Sequence, residues 1–148
     1  MTNEIITATA TAIAETPMME QATSDYITTI DTTTEAGKFA LLAYVNDAVS
    51  LNDYVGVELN ICDAVMMPGV RKGRNGMPDQ ECANSYLVDT DGTAYFSQSE
   101  GVARALRMIM ATFPDMGKHG ERGYIPLVCT KTELPNGNTL KSLKPSLK

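Results

Sequence analysis

The chain has 148 residues, an ordinary apolar content of 43% and a formal net charge of −6. That length fits one domain with its own core, and no stretch approaches the roughly 18 apolar residues of a membrane span. The acidity is local: residues 1–37 hold six carboxylates and no Lys or Arg, so the other 111 residues balance 12 acids against 12 bases. Because the field near a site matters more than the global sum, basic clusters in that neutral part can still bind phosphates. Three widely spaced cysteines, Cys62, Cys82 and Cys129, argue against a disulfide framework and fit a reducing compartment. The first residues, MTNEIITATATAIAE, lack the basic start and solid apolar run of a signal peptide, so a cytoplasmic location is expected.

Residues 1–24, rich in Thr and Ala with scattered apolar positions, are expected to form a flexible acidic arm; residues 25–148 form the domain proper. GKFALLAYV (37–45) is short and apolar and opens on Gly, which favours a strand. Residues 46–54 read as a loop with one helical turn. Over 55–66, Val55, Val57, Leu59 and Ile61 alternate with Gly56, Glu58, Asn60 and Cys62, the period of a half-buried strand. PGVRKGRNGMPDQE (68–81) breaks all periodicity and carries Arg71, Lys72 and Arg74 within four positions.

Residues 84–113 then read as strand, tight turn, strand and helix. Asp91-Gly92 suits a two-residue hairpin turn, which would set Leu87 opposite Phe96 and Val88 opposite Tyr95. Leu87 and Phe96 would face the core, while Tyr86, Val88 and Tyr95 share the outer face. Ser97 and Glu100 stand at capping-box spacing, and Val102, Leu106, Ile109 and Phe113 form one helical stripe with Arg104 and Arg107 away from it. A strand over 124–131, a turn at Pro135-Asn136-Gly137 and a last strand over 138–143 complete the order. This predicts a mainly β fold: a five-stranded OB-fold barrel with one helix between strands 3 and 4, an extra hairpin and the arm.

YLVDTDGT resembles the nucleophile motif of haloacid-dehalogenase-type phosphatases, with Asp89 as nucleophile and Asp91 as acid/base. That Mg²⁺-dependent chemistry requires further carboxylates and a parallel α/β sheet, and the segments after the motif do not alternate strand and helix. A hairpin turn is the preferred reading. The cysteines and His119 lack zinc-site spacing, and GVRKGRNG lacks the Gly-Lys-Ser/Thr of a P-loop. Neither a metal nor a cofactor is expected. Single-strand binders pair a basic groove with aromatic faces on which bases stack, and the basic run next to the aromatic hairpin meets that description.

Three segments carry a family resemblance: GKF, YLVDTDGTAYFSQSEGVARALRMI and LPNGNTLKSL. Their order, over about residues 35–143, is similar to that of the small single-stranded DNA-binding proteins of Gram-positive phages and conjugative plasmids. The resemblance implies an OB-fold, no catalysis and sequence-tolerant coating of single strands during replication or transfer. The resemblance fixes no particular binding residue; from the basic run and the aromatic hairpin, Arg71, Lys72 and Arg74 are expected to grip phosphates and Tyr86 and Tyr95 to stack bases, with Tyr44 a further stacking candidate and Lys38 and Arg107 extending the positive track. The partners are single-stranded DNA, neighbouring copies engaged through the arm, and replication or transfer proteins, with no membrane. A protein-binding OB adaptor and the small phosphatase are the alternatives.

Overall fold

The computed structural model describes residues 26–146; the expected arm lies outside them. A short strand β1 (Ile27–Thr28) precedes helix α1 (Glu35–Asp47), strand β2 (Val49–Ser50) and a 3₁₀ turn (Leu51–Tyr54). Then come β3 (Glu58–Arg71), β4 (Gln80–Asp89), β5 (Ala94–Ser97), α2 (Glu100–Thr112), β6 (Ile125–Glu133) and β7 (Thr139–Pro145). The strands form one curled, mixed sheet with two helices. Its order is β2-β5-β4-β3-β6-β7, with β1 added on β3. The expected count of five strands is therefore corrected: β1 and β2 are additional, and β2 runs parallel to β5.

Strand β3 is the longest element and serves two neighbours. Its residues 63–71 pair with β4, and its first residues, 58–61, pair with β6. The register shifts between Ile61 and Asp63, leaving Cys62 as a bulge, which bends a strand and raises its twist. The bulge also inverts side-chain parity. Before it the odd residues Leu59 and Ile61 enter the main core; after it the even residues Ala64 and Met66 do, and Val65 turns to the opposite face. Opposite this stretch, α2 lays Val102, Ala103, Leu106 and Ile109 into the same core, with Arg104 and Arg107 outward. Phe113, expected at the end of that stripe, caps the helix and is exposed.

Two local expectations are corrected. Residues 37–45 are part of α1, not a strand. Thr34 Oγ1 accepts the Gly37 N–H at 3.0 Å as N-cap, and Glu35 opens the first turn. Ala36, Ala40, Leu41, Leu42 and Ala43 are strong helix formers, and the helical run is 13 residues, longer than the apolar core of it suggests. The hairpin turn holds three residues, not two. Gly92 alone takes a positive φ (86°), and its N–H bonds Asp89 O at 3.0 Å while Asp89 N–H bonds Thr93 O at 2.9 Å. This is a type I turn closed by a left-handed glycine. The helix cap moves likewise, from Ser97 to Ser99, whose Oγ accepts the Val102 N–H.

The start of α2 lies directly on β7. A Cβ placed on Gly101 would sit 1.9 Å from Lys141 O, so only glycine allows this approach. Gly101→Ala gains about 0.5–1 kcal/mol of helix propensity, but forcing a methyl against rigid backbone costs about 1–3 kcal/mol. The variant is expected to show a net loss of stability, read as a lower denaturant midpoint at unchanged slope.

Candidate nucleic-acid interface

The basic run sits at the tip of the long β3–β4 hairpin. Arg71 ends β3, and Lys72 and Arg74 lie in the connecting loop, all three exposed. The loop is held from within: the Asp79 side chain accepts the Gly73 N–H through Oδ1 at 2.8 Å, and Arg74 O accepts the Met77 N–H at 3.0 Å. Gln98, in the link between β5 and α2, laces the tip to the sheet. Its Nε2 donates to Val70 O (3.1 Å) and to Asn84 Oδ1 (3.0 Å), and its own carbonyl accepts from the Arg71 guanidinium. Arg71 is thus oriented, not merely tethered.

Beside this tip a groove of about 570 Å³ runs between β5 and β7, lined by Arg71, Arg74, Phe96, Gln98, Lys141 and Asn52 among others. Lys141 Nζ donates to Asn52 Oδ1 across it. Of its charged lining groups three are cations and one, Glu100, is a carboxylate. A second groove, of about 510 Å³, lies at the tip itself, lined by Arg71, Lys72, Arg74 and Met77 and sharing Arg71, Arg74 and Gln98 with the first. The hairpin tip is therefore a basic element bordered by two adjoining grooves.

The other expected residues lie elsewhere. Arg107 lines a separate groove of about 430 Å³ with Glu81 and Glu100. Lys38 is exposed on α1, and Tyr44 is half-buried on the same helix, packed against a small second core of Ile30, Val65 and Tyr86. The three-residue turn slips the hairpin register by one, so Tyr86 pairs with Phe96 and Leu87 with Tyr95. Tyr86 and Tyr95 consequently occupy opposite faces, not one, and each is only 6% exposed. Tyr86 lies beneath α1, its ring 5.2 Å from that of Phe96. Tyr95 lies in the main core, edge-on to Tyr54 with centroids 4.9 Å apart. In this arrangement neither ring is open to a base.

Asp89 is engaged by its own turn. Oδ1 accepts the backbone N–H groups of Asp91 and Thr93, each at 2.9 Å, and Oδ2 accepts the Tyr95 hydroxyl at 2.8 Å. Its strand runs antiparallel to the next, as a hairpin requires and a phosphatase motif does not. Among the described residues no three His, Cys, Asp or Glu side chains gather as a metal site, and no helix is long and apolar enough to cross a membrane. No protein-family model matches the chain, and no curated protein or solved structure matches it either.

Phe96, Gln98, Lys141 and Asn52 went unread in the sequence. The two-residue register turns Phe96 toward the core, and Lys141 reaches the groove only because β7 passes the hairpin tip, which no local pattern encodes.

Burial raises the Tyr95 phenol well above its ordinary range, and the bond to the Asp89 carboxylate adds to this. The folded chain therefore keeps this proton to higher pH than the unfolded chain. The associated stability is complete below about pH 10, the ordinary tyrosine value, and is lost as pH rises through the folded value. Tyr95→Phe is expected to lower the neutral-pH stability by about 1 kcal/mol through the lost bond. It should also make the fall of the denaturation midpoint above pH 10 shallower; an unchanged alkaline limb would contradict this assignment.

Proposed function

We propose that the chain is an OB-fold-type protein that coats single-stranded DNA without strong sequence preference, as the resemblance to phage and plasmid proteins implies. The observation that carries this reading is the convergence of Arg71, Arg74 and Lys141 on one groove bordered by an aromatic ring, Phe96. That combination of cations along a track with a ring beside it suits a phosphate backbone with unpaired bases.

The connectivity supports the OB assignment. Within the sheet, β3 pairs with both β4 and β6, β4 with β5, and β6 with β7, while α2 links β5 to β6. These five strands, taken in order, have the pairings of a partly open OB barrel, with β1 and β2 as additions. In such barrels the loop between the first two strands and that between the last two flank the oligonucleotide. Here they are residues 72–79, which carry Lys72 and Arg74, and residues 134–138. A role in replication or conjugative transfer follows from the resemblance alone. The reading needs no catalytic step, and Asp89 serves the turn.

Binding should be measured by fluorescence anisotropy with labelled oligo-dT at two salt concentrations. On single strands log K falls with log salt by about 0.7 per phosphate neutralised. Replacing Arg71, Arg74 and Lys141 together by Glu is expected to abolish binding at moderate salt, and each single Gln variant should reduce the salt slope by about 0.7. No binding by the native chain at low salt rejects the proposal; native-like binding by the triple variant moves it to another surface.

The acidic arm completes the proposal as a bridge between neighbouring copies on the strand. Deleting residues 1–24 is then expected to reduce cooperativity of coating more than affinity for a short oligonucleotide, and an unchanged isotherm on long DNA removes this role.

A further inference from the structure

Helix α1 sits on the outer face of β4 and β5 and is apolar on two sides. Inward, Leu41, Tyr44 and Val45 pack on the cluster of Val65, Tyr86 and Phe96. Outward, Phe39 and Leu42 are each 65% exposed, with Ala36 and Ala43 exposed beside them. None of its 13 residues is buried. A helix with one apolar face is fixed by that asymmetry; one with two similar faces has little preference for which it seats, and here the seated face is only partly buried. Among the described residues its side-chain hydrogen bonds are local, Thr34 to Gly37 and Asn46 to Asp47, and no ion pair joins it to the sheet. The strands that flank it are short, β1 and β2 being two residues each, and the hydrogen bonds that fix its N-terminal side are made by Thr28 and Thr29, ahead of the helix, to Ala64 and Asp63 of β3.

Beneath this loosely held helix lies a pair of rings, Tyr86 and Phe96, with centroids 5.2 Å apart and planes tilted by 38°. Phe96 belongs both to the covered cluster and to the wall of the groove that holds Arg71, Arg74 and Lys141. The covered face and the basic groove are thus continuous through one side chain.

We propose that α1 is a displaceable cover over a nucleobase subsite formed by Tyr86 and Phe96, entered from the basic groove. The proposal rests on the single-strand reading above and adds where the bases go and what must move. A strand gripped by the cations exchanges α1 for its own bases on the two rings. Apparent affinity then carries the fraction of molecules whose cover is open, since the observed Kd is the intrinsic Kd divided by that fraction.

The test is hydrogen exchange on the full chain, free and saturated with oligo-dT, with saturation verified by anisotropy. A 13-residue helix removed from its support is marginal in water, so amides 38–47 are expected to exchange at least about tenfold faster in the complex. Unchanged or slower exchange there, with DNA bound, overturns the cover. Absence of DNA binding overturns the single-strand reading, and the cover with it. A Leu41→Ala, Val45→Ala variant, which loosens only the helix, is expected to bind oligo-dT about tenfold more tightly, and adding Tyr86→Ala should remove that gain. Equal or weaker binding by the loosened variant refutes the cover, as does a gain that survives loss of Tyr86.

Discussion

At Cys62, strand β3 carries one residue more than β4 can pair, and the sheet is built around that surplus. Before the bulge the strand pairs with β6, with Ile61 also meeting Asp89 of β4; beyond it the strand pairs with β4 along its length and with β1 at Val65 and Met66. A straight strand of 14 residues could not turn its core-facing row from one neighbour's layer to the other's without losing alternation. The bulge resets the alternation and bends the strand at one point. Asp63, the next residue, is bound there by the Lys118 ammonium at 2.6 Å and the Thr29 hydroxyl at 2.8 Å. Both charged groups are partly exposed, so the ion pair contributes at most about 1 kcal/mol. Its effect is positional: it joins the loop after α2, the segment before α1 and the bend of β3 at one carboxylate.

The groove follows from that bend. It carries the far half of β3, and so the β3–β4 hairpin, to a place where the tip stands beside β7, and Gly101 lets α2 seat close enough for β7 to remain there. Gln98 then converts position into orientation by holding both Val70 and Arg71. This arrangement also explains how a chain of net charge −6 can present a basic surface. Three of the groove's four charged lining groups are cations, and at physiological salt their field is felt over about 8 Å, while the N-terminal carboxylates belong to a separate stretch of sequence.

Much of the frame was legible because it is local. The stripe of α2, the Gly137 turn and the β-prone runs on either side of residues 89–93 each rest on neighbours in sequence, and the helix and strands stand where those patterns put them. Helix α1 was misread because an apolar run without polar interruption has no period to measure. The capping residue that settles the matter, Thr34, stands among three consecutive threonines and gives no unique signal. Strand β3 was legible up to Ile61 and then changed parity, since a bulge is dictated by which two strands must share the third. Lys141 could not be found at all, because its relevance is a matter of which strand ends pass one another.

The aromatic residues show how far one residue of turn length reaches into function. With a two-residue loop, Tyr95 and Tyr86 would share a face; with three, Tyr95 turns inward and Phe96 takes its place beside Tyr86. The side chains agree with the longer loop. A buried phenol needs an acceptor, and Tyr95 finds it in Asp89, a residue of the turn itself, whose other oxygen holds the turn's backbone. Phe96 needs none and can stand half-open at a groove wall. The same carboxylate that suggested an enzyme thus fixes the loop length, the loop length fixes the register, and the register decides which ring meets the basic groove.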